Sequence, residues 1–216
     1  MTRRFNYLLI VLLLLASAAC RPTGAHRSTV EPSVEEPPLV KIGSESVRKV
    51  LESAYEQTRL TTNYSQEYFR LAYPNGDPPI ETGACTDVVI RAFRNAGVDL
   101  QKEVHEDMRA NFGSYPNKWG LTRPDTNIDH RRVPNLQTYF KRRGVSLSVS
   151  ANYEDYRPGD IVSWDLDGKG MTHIGIVSNR KSATSGRYMI IHNIGGGTRL
   201  EDRLFEWTVT GQYRYF

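Results

Sequence analysis

The apolar residues of this chain change period at Gly144, and that switch restricts the available folds more than any other feature. Before it they recur at helical spacing. Val47, Val50, Leu51, Ala54 and Tyr55 share one face of a helix predicted over 45–60. Val88, Val89, Ala92, Phe93 and Ala96 do the same for a second, which starts at Cys85 and is stopped by Gly97 acting as a C′ residue. A shorter amphipathic piece covers 104–112, a long irregular segment covers 113–133, and 136–143 reads as a further helix. After Gly144 come short strands at 145–150, 161–166, 173–178 and 188–193, with one or two more inside 205–215. Helices first and strands second make an α+β layout, N-terminal helices packed on an antiparallel β-sheet.

The N-terminus has a different texture. Arg3 and Arg4 precede an unbroken apolar run, 7–15, followed by small residues and Cys20. That run falls short of the ~20 residues needed to span a bilayer, so 1–20 reads as an export signal rather than a transmembrane helix. Ala16-Ser17-Ala18-Ala19 ahead of Cys20 resembles a lipobox, after which Cys20 would carry lipid and anchor the mature chain to the membrane. Ser17 stands where such boxes usually carry leucine, and Ala16-Ser17-Ala18 also fits an A-x-A cleavage site. Residues 21–43, rich in proline, glutamate, serine and threonine, form a tether with an r.m.s. reach of roughly 25–30 Å. The domain proper is 44–216, large enough for its own core. Of 28 basic and 24 acidic residues, two of the basic ones leave with the signal, and no long basic run remains. A nucleic-acid partner is not expected.

The chemistry centres on Cys85. With Cys20 committed to the signal, it is the single thiol of an exported chain, where an odd cysteine is either buried or employed. It follows the turn Thr82-Gly83-Ala84 and opens a helix, where unpaired N–H groups and an imidazolium would favour thiolate. His173 begins the strand His173-Ile174-Gly175-Ile176-Val177 and is the candidate general base; Gly175 on the same face leaves room for an approach. His192 ends a later strand and would orient His173, with Asn193 as the alternative on the opposite face. One cysteine and two widely spaced histidines lack zinc-ligand spacing, so neither metal nor cofactor is expected. Gly195-Gly196-Gly197 follows a strand but opens no helix and reads as a turn.

These residues, in this order, resemble the NlpC/p60 superfamily of papain-like cysteine peptidases and amidases. The matching stretches are Gly83-Ala84-Cys85-Thr86-Asp87, Arg157-Pro158-Gly159-Asp160-Ile161-Val162, His173-Ile174-Gly175-Ile176-Val177 and Ile191-His192-Asn193. Over nearly the whole domain the chain is also similar to an exported bacterial family catalogued as domain of unknown function 1287. That similarity lies in 85–91, 104–108, 127–136 and His192-Asn193-Ile194-Gly195. The first resemblance implies a papain-like NlpC/p60-type fold, a Cys85-His173-His192 triad and a peptidoglycan or related peptide substrate. It also implies a role for Tyr73, which lies where the superfamily lines its pocket. Many members carry aspartate just before the nucleophile to grip a free amine; Ala84 stands there here. Asp87, Asp129, His130, Arg131 and Arg132 are then the candidates for reading the substrate, because guanidinium forks suit carboxylates. The expected function is an envelope cysteine hydrolase cutting an amide. A transferase sharing its first step and a non-catalytic wall-binding lipoprotein are the rivals.

Overall fold

The computed structural model describes residues 39–216; the predicted export signal, Cys20 and most of the predicted tether lie outside the described residues. Helix α1 (Glu45–Leu60) starts where Ser44 accepts the Val47 N–H at 3.3 Å. It buries Val47, Val50, Leu51 and Ala54, the face expected from spacing. Helix α2 (Cys85–Asn95) is more deeply placed: each residue from Cys85 to Phe93 is buried, Asp87 and Arg91 included. Gly97, at φ +88°, closes it, and the Val98 N–H reaches back to the Phe93 carbonyl at 3.0 Å. Helix α3 (Leu100–Asn111) begins four residues before the predicted 104, because Asp99 caps it by accepting the Gln101 N–H. Helix α4 (Val133–Arg142) likewise begins earlier than 136, with Pro134 in its first turn.

The main sheet is antiparallel throughout and has the strand order β3-β8-β4-β5-β6-β7. Its members are β3 (Ser146–Leu147), β4 (Ile161–Asp165), β5 (Thr172–Lys181), β6 (Tyr188–Asn193), β7 (Thr198–Glu201) and β8 (Thr208–Tyr213). A two-residue parallel pair, β1 (Asn63–Tyr64) with β2 (Thr82–Gly83), braces the turn before α2. The strand predicted at 145–150 shrinks to two exposed residues, since Ser150 and Asn152 turn the chain. Leu39–Ile42, read from composition as the end of the tether, is seated on the domain. Leu39 bridges Arg180, and Val40 exchanges two 2.8 Å hydrogen bonds with Asn179.

Alternation along the strands gives the sheet two dissimilar faces. Ile161, Ile174, Ile176, Ile191 and Tyr213 meet α1, α2 and α4 in the main core. Val162, Trp164, Val177 and Ile190 point the other way, into a smaller cluster with Tyr156 and Leu204, against which Trp207 and Phe205 pack. Among the described residues, no helix is long and apolar enough to cross a membrane.

Candidate active site

Cys85 is the first residue of α2 and is 5% exposed. Ala84 at the N-cap has no side-chain oxygen, so capping comes from the other side: its N–H donates to Asp87 Oδ2 at 2.6 Å. Asp87 in turn takes a two-pronged bond from Arg131, Nε to Oδ1 at 2.8 Å and Nη2 to Oδ2 at 2.9 Å, with both side chains 1% exposed. Arg131 also donates to the Glu67 carbonyl at 2.7 Å and lies 5.3 Å from the Phe69 ring centroid. Thr86 donates its hydroxyl to the Arg131 carbonyl. From the sheet, Asn193 donates to the carbonyls of Gly83 (2.9 Å) and Asn63 (3.2 Å). Arg91 fastens the preceding loop through Asp77 and the carbonyls of Pro78, Pro79 and Thr82. The turn that leads into Cys85 is thus tied on every side by buried polar groups.

The histidines meet on the other face of the sheet. His173 Nε2 lies 2.8 Å from His192 Nδ1, and His192 Nε2 lies 3.0 Å from Glu201 Oε2. Gly175 makes this possible: a Cβ there would stand 2.8 Å from Ile190 Cγ2 and 3.0 Å from His192 Cβ. Trp164 and Trp207 wall the pair, with ring centroids 5.7 and 5.8 Å from that of His173. Burial, and then the neighbouring His192, pushes the His173 imidazole down to about 3. Burial also lowers His192, opposed by Glu201. Both rings are therefore neutral near pH 7, and the chain of bonds assigns their tautomers. A carboxylate only accepts, so His192 Nε2 carries the proton and its Nδ1 is an acceptor. His173 Nε2 then donates, which leaves the lone pair on His173 Nδ1.

The two halves come together at the peptide between His173 and Ile174. The Ile174 N–H interacts with the Cys85 thiol, and Thr172 lines the same cleft as Cys85. No hydrogen bond joins Sγ to either imidazole among the described residues. The surroundings of the sulfur oppose the thiolate expected from its helix position. Burial pushes the thiol up to about 12, and only partly do the N–H groups of Ile174, Thr86 and Cys85 itself oppose it, while Asp87 adds a further upward push. The helix end is real, but Asp87 already occupies it.

The open cleft beside Cys85 has a volume of about 430 Å³, and Tyr68, Ala84, Trp119, Arg132 and Thr172 are among its walls. Arg132 stacks over Trp119, 4.0 Å from the ring centroid, and pairs with Asp129 at 3.2 Å. Of the charged residues expected to read substrate, Arg132 has its side chain furthest from full burial and lines this cleft together with Arg131. Asp87 and Arg131 spend their charges on each other, so both hold the turn, and Arg131 also lines the cleft. Asp129 is buried and accepts the Asp125 N–H as well as Arg132. His130 is buried and does not line the cleft; burial holds its imidazole down at about 4. Tyr73 is 41% exposed and packs edge-on against His105 of α3, 5.2 Å between centroids, outside the cleft walls. Asn193, the alternative third residue, points to the nucleophile turn while His192 meets His173.

Sequence reasoning missed Glu201, Trp119 and Trp207. For Glu201 a signal exists: Thr198-Arg199-Leu200-Glu201 alternates directly after a glycine turn, so a hairpin could have been read there. It returns to β6 with Ile190 opposite Glu201, which lets the carboxylate reach diagonally to His192.

A family model described as Domain of unknown function (DUF1287) matches residues 51–215. The chain is 52% identical over 180 residues to the "Uncharacterized protein YijF" of Escherichia coli (strain K12), covering 83% of this chain and 87% of that protein. No solved structure matches it. The matched span runs from within α1 almost to the C-terminus and takes in Cys85, His173, His192 and Glu201, so this chain belongs to the DUF1287 family.

Proposed function

We propose that this protein is a cysteine hydrolase of papain-like, NlpC/p60-type architecture, exported and lipid-anchored at Cys20, that cleaves an amide bond in peptidoglycan or a related peptide. The observation that carries the reading is the bonded series Glu201–His192–His173, joined to a lone thiol at a helix N-terminus through the Ile174 N–H that follows His173. A cysteine kept only for packing needs no carboxylate-oriented histidine pair on the strand whose next N–H meets its sulfur.

In the proposed reaction His173 Nδ1 removes the Sγ proton while Sγ bonds to the carbonyl carbon. Burial disfavours both the thiolate and the imidazolium, which makes a free ion pair costly, so proton transfer and attack proceed together. The oxyanion is met by the Cys85 N–H at the helix start. His173 then gives its proton to the leaving nitrogen as the C–N bond breaks, leaving a thioester. Water, deprotonated by His173, attacks the thioester; the acid departs and the thiol is restored. The imidazolium of each step is supported by the Nε2–H bond to His192 and, through it, by Glu201.

Sacculi of several peptidoglycan chemistries, incubated with wild type, Cys85→Ser and His173→Ala and analysed by mass spectrometry, test the reading. Peptide fragments from wild type alone are expected. A wild type that releases none from any of them overturns it.

A further inference from the structure

A second pocket lies behind the Trp119–Arg132 stack, away from Cys85. Trp119 and Arg132 line it on one side and the Cys85 cleft on the other, so the two spaces share a wall. Its volume is about 230 Å³. An apolar cavity of roughly 150 Å³ suffices for benzene, so this one admits a ring with a substituent. Met108, Phe112, Tyr115 and Leu121 supply apolar walls. Asn135 also lines it and is 1% exposed. Its Nδ2 donates to the Asp129 carbonyl at 3.0 Å, which fixes the orientation of the amide, while Oδ1 is buried with no hydrogen-bond partner.

A buried carbonyl oxygen without a donor is costly, and in native proteins it marks a place where a donor arrives. Charge narrows what can bring it. A cation would lose its hydration next to the Arg132 guanidinium, and an anion would face both Asn135 Oδ1 and the Asp129 carboxylate. We propose that this pocket is a binding subsite for a neutral, ring-sized apolar group that carries one O–H or N–H donor, received by Asn135 Oδ1. Resting on the hydrolase reading in its related-peptide form, the group is an aromatic side chain of a peptide substrate flanking the acyl carbon that Cys85 attacks, with Trp119 seated between them.

Titration of the protein with p-cresol and with toluene, which differ by the hydroxyl, tests this through the Trp119 indole N–H resonance in NMR spectra. The expected result is p-cresol binding at least tenfold more tightly than toluene. Asn135→Leu is expected to abolish that preference while toluene still binds. Leu121→Trp, which fills the pocket from its wall and leaves the Asn135–Asp129 bond alone, is expected to exclude both. Equal affinity for the two probes, no response of Trp119 to p-cresol, or an unchanged preference in Asn135→Leu overturns the subsite. If p-cresol binds as expected while sacculi stay intact, the subsite stands and the hydrolase reading falls. If sacculi are cut and the probes are not distinguished, the subsite alone falls.

Discussion

On the helix side of the cleft the nucleophile turn is held by charge: Asp87 and Arg131 are fully buried, bidentate, and joined to backbone at Ala84 and Glu67. On the sheet side the histidines are held by neutrality: two uncharged rings between tryptophans, with the one carboxylate, Glu201, at the 25%-exposed outer end. The difference matches what the proposed reaction asks of each half. A turn that aims a sulfur needs to be immovable, and a two-pronged ion pair fixes both angle and distance. A residue proposed to gain and lose a proton needs surroundings that commit it to neither state, and Glu201 stands one ring away from His173.

The largest expected effect comes from breaking the charged half. Asp87→Ala strands the Arg131 guanidinium in the interior and should cost about 3–5 kcal/mol in chemical denaturation. Combining Arg131→Met with Asp87→Leu should recover most of that stability but not the aim of Cys85. If the single variant costs under 1 kcal/mol, the ion pair is not what secures the turn.

Next is the neutral half. Glu201→Gln keeps a hydrogen-bonding group near His192 but can present its amide N–H in place of an acceptor, freeing the tautomers of both rings. Outer-layer partners of functional histidines are typically worth roughly 10–100-fold. Peptide release should fall by that factor with the melting temperature little changed, and Glu201→Asp should restore part of it. An unaltered rate in Glu201→Gln would detach Glu201 from the relay.

Acid should distinguish the halves too. His173 and His130 have folded values of about 3 and about 4, below the ordinary 6.5, so the unfolded chain binds these protons more tightly. Their contribution is full above pH 6.5 and is lost as pH falls toward those values, with a slope of about 1.4 kcal/mol per pH unit for each ring. Urea midpoints measured between pH 7 and 4 should decline, and His173→Gln should reduce the slope by about one ring's share. A flat profile would mean these rings are not held neutral by burial. The smallest effect is expected at the rim, where Arg132→Lys keeps the charge but weakens the stack on Trp119, costing about 0.5–1 kcal/mol.

Much of the frame was legible before any coordinates. Cys85 does open α2, Gly97 does close it, His173 and His192 do lie on strands, and it is His192 rather than Asn193 that meets His173. Each depends on something short-range: a 3.6-residue or two-residue period, a glycine with positive φ, or the parity of a strand. The starts of α3 and α4 lie earlier than the spacing predicts, because the Asp99 cap and Pro134 in the first turn bring Leu100 and Val133 into the helices.

The partners of the site residues were another matter. Asp87 and Arg131 are 44 positions apart, and Asn193 stands 110 from Gly83, so no local pattern pairs them. Sequence offered Asp87 and Arg131 as substrate contacts because a charge in a motif looks available until burial finds it a counter-ion. The thiol was expected to be ionised for the same reason: a helix end is visible in a sequence, whereas desolvation is not. Periodicity and turn chemistry decide which element a residue joins. Only the packing of those elements decides which charges are cancelled, which acceptors are left open and how much water remains around a sulfur, since those quantities depend on neighbours that the chain order does not name.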